Sequence, residues 1–596
     1  MKRIVFIFVV LFCSSLLMAQ NTAKTFESAK EAVENGRYEE GIDYFRKQLR
    51  SDPKDWVSAY YVVLAAINVP NYREVMEASE VVIRYGEEDA LPFIYRCRGF
   101  AFQNDRKDYE KAIEEYTRAI RIDKKDYLAY AFRGYVYRIM SIEEMKGKNE
   151  FDTVTTYQRI VGSKTGEKNL KRSDSDFERI VELEPDNACG YAGLAMNSYI
   201  RRETKEALEY GQRAIAATTQ NDANVYWLVL NILSQEERWS EACDIYIKGL
   251  SSNLSMISSF FSVEEVLVDN CFTTLLSKLQ IQSNKEGNDA QWPYAIGRLY
   301  GKRYNHVKQI EYYKKAYARQ PTSDWYATRV AEAMVEVGNL TGAIAYANRA
   351  IDLNAKNSSA YYIRSAANYY SGKGEDAIAD ISYAIELAPT NGFYYYRRGF
   401  YNDNLRHTDD AIEDYSAAIE LMPDHAYSYL GRGDMYEIKG QHSLARKDYR
   451  KAVSLDTVPG ENSCAQYAYL QLGDTMSAIR FTDVLIDSLP YNAGVLYDAA
   501  CLYSRIGRTK QALDYLESSL RAGYTSIAHM LLDDDLDALR ESERYKQLME
   551  KYKPKVFPEE ELPNISGRSN SEYTDMPTEQ NTDERSRNLR SLAPRQ

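Results

Sequence analysis

Residues 392–425, GFYYYRRGFYNDNLRHTDDAIEDYSAAIELMPDH, and residues 426–459, AYSYLGRGDMYEIKGQHSLARKDYRKAVSLDTVP, are two copies of one 34-residue pattern set end to end. Two more copies precede them, starting at Asp324 and Ser358. At the twentieth place the four copies carry Ala343, Ala377, Ala411 and Ala445, and at the twenty-seventh Ala350, Ala384, Ala418 and Ala452. Pro389 and Pro423 close two of the units. A fixed period of this length is the signature of a solenoid, in which each unit is a supersecondary element that buries its apolar face only against its neighbours. Small residues at fixed places let helix backbones approach, and Gly372-Lys373-Gly374 and Pro389-Thr390-Asn391 punctuate the helices.

Working outward, the Ala426 unit places Tyr429, Gly433, Tyr436, Ala445, Tyr449 and Ala452 at positions four, eight, eleven, twenty, twenty-four and twenty-seven, with its proline slipped to Pro459. The Gly392 unit places Tyr395, Gly399, Ala411, Tyr415, Ala418 and Pro423 likewise, with Asn402 where an aromatic is usual. These residues resemble the tetratricopeptide repeat. Further units start near Thr22, Trp56, Pro92, Tyr127, Ala188, Ala223, Ala290, Pro459 and Ala493, so the resemblance covers about residues 22–525. The Trp56 unit departs from it, with Val75 and Val82 in place of both alanines. The resemblance implies an all-α solenoid of helical hairpins, a right-handed superhelix of about 12 to 13 repeats.

The organisation expected along the chain is then a signal peptide over 1–19 and an N-terminal repeat array over 20–256. A degenerate helical repeat over 257–289 and a C-terminal array over 290–523 follow, then a helical cap over 524–552 and a disordered tail over 553–596. Within the Tyr127 unit the first helix runs to about Met145 and its partner is expected over Ser173–Glu184. The polar, locally basic stretch 146–172 between them, with Lys164, Lys168, Lys171 and Arg172, reads as an insertion. Lys2 and Arg3, the apolar run Ile4–Leu17 and Ala19 before Gln20 have the order of a secretory leader. That run is shorter than the roughly 20 apolar residues that span a bilayer, so export to the periplasm or cell envelope, or secretion, is expected rather than membrane insertion. The leader resembles those of Gram-negative bacteria, and the whole is similar to envelope repeat proteins of Bacteroidota-like organisms.

Composition narrows the function. A net charge of −12 without a Lys/Arg block argues against a nucleic-acid partner. Cys97, Cys189, Cys243, Cys271, Cys464 and Cys501 are scattered and the five histidines dispersed, so no metal site or cofactor is expected. Gly162-Ser163-Lys164-Thr165-Gly166 lacks the glycines of a phosphate loop. Asp533-Asp534-Asp535, Asp409-Asp410 and Glu375-Asp376 stand where helices begin, which suits capping rather than acid–base chemistry. Arg98, Arg133, Arg364, Arg398 and Arg432 recur at position seven and read as scaffold ion-pair residues. With no catalytic constellation in view, the chain is expected to be a non-enzymatic scaffold or adaptor that binds protein or peptide segments. The competing readings are a glycan-binding envelope protein, from aromatic platforms that stack on sugars, and a glycan-cleaving enzyme on a helical superstructure. The resemblance implies that first-helix positions two, five, six, nine, twelve and thirteen face a ligand. Carried onto this chain, those are Trp325, Arg329, Glu332, Tyr362, Tyr369, Tyr370, Phe393, Tyr396, Arg397 and Phe400.

Overall fold

The computed structural model describes residues 25–552 apart from 144–163, 218–222, 253–260, 286, 288, 304, 457–459, 461–462 and 525–526. The expected leader and the tail after Tyr552 lie outside the described residues, as does most of the insertion. The described residues are helical throughout, with no strand among them, and the helices follow one another as antiparallel hairpins: an all-α hairpin solenoid. They fall into two units, residues 1–267 and 268–596, and the helix Phe261–Lys285 crosses the boundary with a break at Cys271, where φ is −141°.

The repeat pattern maps onto this architecture residue by residue. First helices start on capping side chains: Ser323, Asn357 and Asn391 each accept from a backbone N–H of the helix that follows. Most of the described hairpins turn through a residue with positive φ at position fifteen. Gly338, Gly372 and Gly440 serve there without steric cost, whereas Arg406, Arg202 and Glu237 occupy the same place in their own repeats. At position eight the reason for a small residue is direct: a Cβ on Gly433 would lie 2.6 Å from Cε1 of Tyr449, the aromatic of position twenty-four. In the Trp56 unit Val75 and Val82 are fully buried in the helix Tyr72–Tyr85, so apolar burial closes this hairpin without the alanines.

The arginines of position seven fasten the hairpins. Arg398 reaches Asp414 on the second helix of its own repeat, at 3.0 and 2.7 Å, and donates to Ser382 Oγ of the preceding repeat. Arg432 does the same with Asp448 and Ser416, Arg364 with Asp380 and Asn348, and Arg133 with Asp176 and Thr117. Each guanidinium therefore ties three helices together. Asn402, the departure from the aromatic pattern, donates to Asp414 at 2.9 Å, and Asn368 donates to Asp380 in the same way. Position eleven can give up its ring because an amide there completes the buried carboxylate's hydrogen bonds.

Two details differ from expectation. In the Pro92 unit a single turn of π-helix, Phe102–Arg106, absorbs one extra residue, so Arg98 meets Glu115 seventeen residues on instead of sixteen. The second helix of the Tyr127 unit runs Lys164–Leu183, beginning nine residues before the expected Ser173 and taking in the end of the insertion. Its early turns are buried at Gly166, Asn169 and Leu170, and Ser141 Oγ donates to the Gly166 carbonyl at 2.8 Å. The 17-residue first helix Tyr127–Glu143 is longer than the other first helices, most of which have 13 residues, and a longer partner covers it.

Candidate functional site

The ten residues assigned to a recognition face lie on three consecutive first helices, Asp324–Glu336, Ser358–Tyr370 and Gly392–Asn404. The structure joins them into one aromatic layer. Trp325 meets Tyr294 of the preceding repeat edge-on at 4.6 Å. Tyr362 meets Phe393 and stacks on Tyr394, and Tyr369 packs on Phe400 and stacks on Tyr401. Tyr396 meets His425 of the next repeat at 4.7 Å. Much of this surface is spent on repeat-to-repeat packing. Arg329, Tyr362, Tyr370, Phe393, Tyr396, Arg397 and Phe400 are buried, while Trp325, Glu332 and Tyr369 remain half-buried.

Two arginines occupy position six and differ in what surrounds them. Arg329 lies over the Trp325 ring and pairs with Glu332, three residues on, at 2.9 Å. Arg397 has Phe400 at the corresponding place. Its guanidinium sits over the Phe400 and Tyr401 rings at 4.8 and 5.3 Å and is fully buried, with the Tyr370 hydroxyl beside it and no carboxylate paired with it among the described residues. The nearby Tyr362 hydroxyl is without a hydrogen-bond partner among the described residues. Below this layer, burial and the neighbouring Asp434 carboxylate push the Asp403 carboxyl up to about 7, against the pull of Arg406.

The cap closes over the same face of the last repeat, a contact that the repeat pattern does not encode. Tyr497, Cys501 and Arg505 hold positions five, nine and thirteen of the Ala493 repeat, and the segment after its second helix covers them. Tyr524 stacks on Tyr497 with ring centres 4.3 Å apart. His529 lies 5.6 Å from Tyr497 and 6.5 Å from Tyr370, four repeats earlier in the chain. Asp533 caps a short 3-10 turn by accepting from the Asp535 N–H, as expected, and also accepts from the Tyr497 hydroxyl at 2.6 Å. Burial would raise this carboxyl. The adjacent His529, the Tyr497 hydroxyl and the Asp535 amide outweigh burial and hold it down at about 2. The signal available in the sequence was the bulky aromatic at Tyr524 just past the last repeat.

Elsewhere, a shallow hollow beside the insertion is lined by Lys164, Glu167, Lys168, Lys171, Arg172 and Ser175. Two of its cations are engaged locally: Lys171 pairs with Glu167, and Arg172 lies over the Tyr137 ring. Among the described residues no helix is long and apolar enough to cross a membrane.

Two family models match the chain, both described as tetratricopeptide repeat, one over residues 331–392 and 403–462 and the other over 26–55 and 104–126. The matched stretches are similar to tetratricopeptide repeats. The matches cover all of the helix Ser358–Tyr370 and the end of Asp324–Glu336 from Ala331 on, but of Gly392–Asn404 only Gly392, Asp403 and Asn404. No curated protein matches the chain. Among solved structures, it is similar to MamA at 27% identity, over 27% of this chain and 94% of that one, with a TM-score of 0.25. It is similar to yeast Tom70 at 16% identity, over 78% of this chain and all of that one, with a TM-score of 0.35. It is also similar to Cut9 in the Cut9–Hcn1 assembly, at 12% identity, over 76% and 95% of the two chains, with a TM-score of 0.32.

Proposed function

We propose that the chain is an exported, non-catalytic scaffold of the cell envelope that holds protein or peptide segments against the first-helix face of its C-terminal unit. Tetratricopeptide repeats support a protein-interaction role in general. The observation that carries the specific reading is Arg397. A buried charge without a counter-charge costs several kcal/mol, and the same register position two repeats earlier is neutralised by Glu332. An acidic group on a bound segment supplies what Phe400 cannot, and the hydroxyls of Tyr362 and Tyr370 stand ready to donate to it. Trp325, Glu332 and Tyr369, still half-buried, are the first points of contact, and aromatic and arginine anchors suit such a role. The glycan reading is less favoured, because most rings that would stack on a sugar are buried.

The test compares proteins captured from an envelope extract by wild type, by Tyr369→Ala/Arg397→Met, and by Tyr383→Ala on the exposed side of a second helix. Circular dichroism verifies the fold of each. A set of proteins lost only with the first variant is the expected result; identical capture by all three removes the assignment. For export, supported by the leader-like order of residues 2–20, the mature protein from the envelope fraction is expected to begin at Gln20, and an intact Met1 in a cytosolic fraction overturns it.

A further inference from the structure

The cap has two parts that sit in different places. Its last helix, Glu543–Lys551, packs against the final second helix, Thr509–Ala522: Tyr545 and Leu548 are buried, and Arg544 pairs with Asp514 and Glu517. That contact alone gives a repeat array the polar end it needs. The segment before it, Ile527–Leu536, goes further and lies on the first-helix face. Its His529, Met530 and Asp533 are buried there, while Leu531 and Leu532 stay half exposed. His529, and Tyr524 just ahead of the segment, both come close to Tyr370 of the recognition layer, four repeats away.

The contacts this segment makes are the same in kind as those the recognition face would offer a partner. Tyr497 and Tyr362 both hold position five of their repeats. The Tyr497 hydroxyl donates to the Asp533 carboxylate at 2.6 Å, whereas the Tyr362 hydroxyl, also buried, has no hydrogen-bond partner among the described residues. The Arg505 guanidinium, at position thirteen, lies 3.6 Å from the Asp535 carboxylate, the kind of acidic group that Arg397 lacks. Tyr524 stacks on Tyr497, as an aromatic anchor does at an interface. A ring and two carboxylates from the chain itself therefore already occupy the far end of this face.

We propose that Ile527–Leu536 is an internal ligand of the recognition face, an autoinhibitory contact that a partner segment must displace. The inference rests on the scaffold reading of that face. Tethering gives the internal segment a high effective concentration. A partner then finds the face open only in the fraction of molecules whose segment is off, and its apparent affinity falls by that fraction. The partner that fits carries what the internal segment carries, an aromatic ring followed by carboxylates.

The probe is a fluorescent peptide of this chain's own residues 524–537, titrated into full-length protein and read by anisotropy. Cys501 Sγ lies 3.6 Å from Asp533 Oδ2, so Asp533→Cys, oxidised onto Cys501, locks the segment in place, and reduction frees it again in the same molecules. Met530→Glu, which puts a charge at a fully buried position of the segment, releases it by a second route. The reduced Asp533→Cys chain and Met530→Glu are expected to bind the peptide at least about tenfold more tightly than the oxidised chain. Cys501→Ser/Asp533→Cys, which cannot form the bond, is expected to bind equally with and without oxidant. Circular dichroism of the repeat helices verifies the fold of each form. Equal affinity of locked and released forms, or no binding by any form, overturns the inference. Either result leaves the scaffold reading to its own test, because capture of envelope proteins by the Tyr369→Ala/Arg397→Met variant uses no peptide and an unaltered cap.

Discussion

Asp414→Ala removes the carboxylate to which Arg398 donates at 3.0 and 2.7 Å and Asn402 at 2.9 Å. Burial pushes this carboxyl up more than Arg398 brings it down, so the pair's own worth is small, and the loss on deleting one half is the cost of orphaning the other. For a fully buried pair that cost is about 3–5 kcal/mol. Arg398 keeps 26% of its side chain exposed and is partly rehydrated, which brings the expected loss to about 2–3 kcal/mol. The double replacement Arg398→Met/Asp414→Leu leaves no orphan and is expected within about 1 kcal/mol of wild type. Global melting is a poor readout for a repeat array that can open locally. Hydrogen exchange resolves it: amides of Gly392–Asn404 and Thr408–Leu421 should lose protection in the single variant and regain it in the double, while the N-terminal unit is unchanged. Unchanged protection in Asp414→Ala, or a double variant worse than the single, refutes the idea that these arginines fasten the hairpins.

Arg406 carries φ +65° at a turn where sister repeats use glycine, so Arg406→Gly is expected to stabilise by about 1 kcal/mol, measured by chemical denaturation. Gly193→Ala would place a Cβ 2.2 Å from Phe177, whose ring also lies 3.1 Å from a Cβ built on Gly134; clamped from both sides, it has no room, and a loss of about 2 kcal/mol is expected from the same measurement. Asp403 titrates near 7 when folded against an ordinary 3.8, so between about pH 4 and 7 the folded chain binds the extra proton and stability falls as pH rises. The drop is at most about 4 kcal/mol, less because Asp403 still meets solvent, and Asp403→Asn should flatten this slope in denaturation curves taken across that window.

Much of the hairpin register was open to reading because the repeat constrains it many times over. Position eight must be small because the aromatic of position twenty-four lies against it, and position seven carries arginine because three helices meet there. What escaped depends on contacts distant in sequence. Nothing local says that Phe400 fills the place where Glu332 neutralises Arg329, leaving Arg397 without a paired carboxylate, or that most of the face is spent on packing between repeats. The Cys501–His529–Asp533 convergence joins a repeat helix to a segment outside the period, where register gives no guidance. The start of the helix at Lys164 was hidden by polar residues that look like a loop until the longer Tyr127–Glu143 helix asks for cover.

The most direct test of the scaffold reading installs a photo-crosslinking amino acid in living cells at Trp325 or Tyr369 on the first-helix face, and at Tyr383 or Glu386 on exposed second-helix positions. A discrete crosslinked partner is expected from Trp325 and Tyr369, and none shared with Tyr383 or Glu386. Partners captured from the second-helix positions alone, or equally from both faces, contradict it.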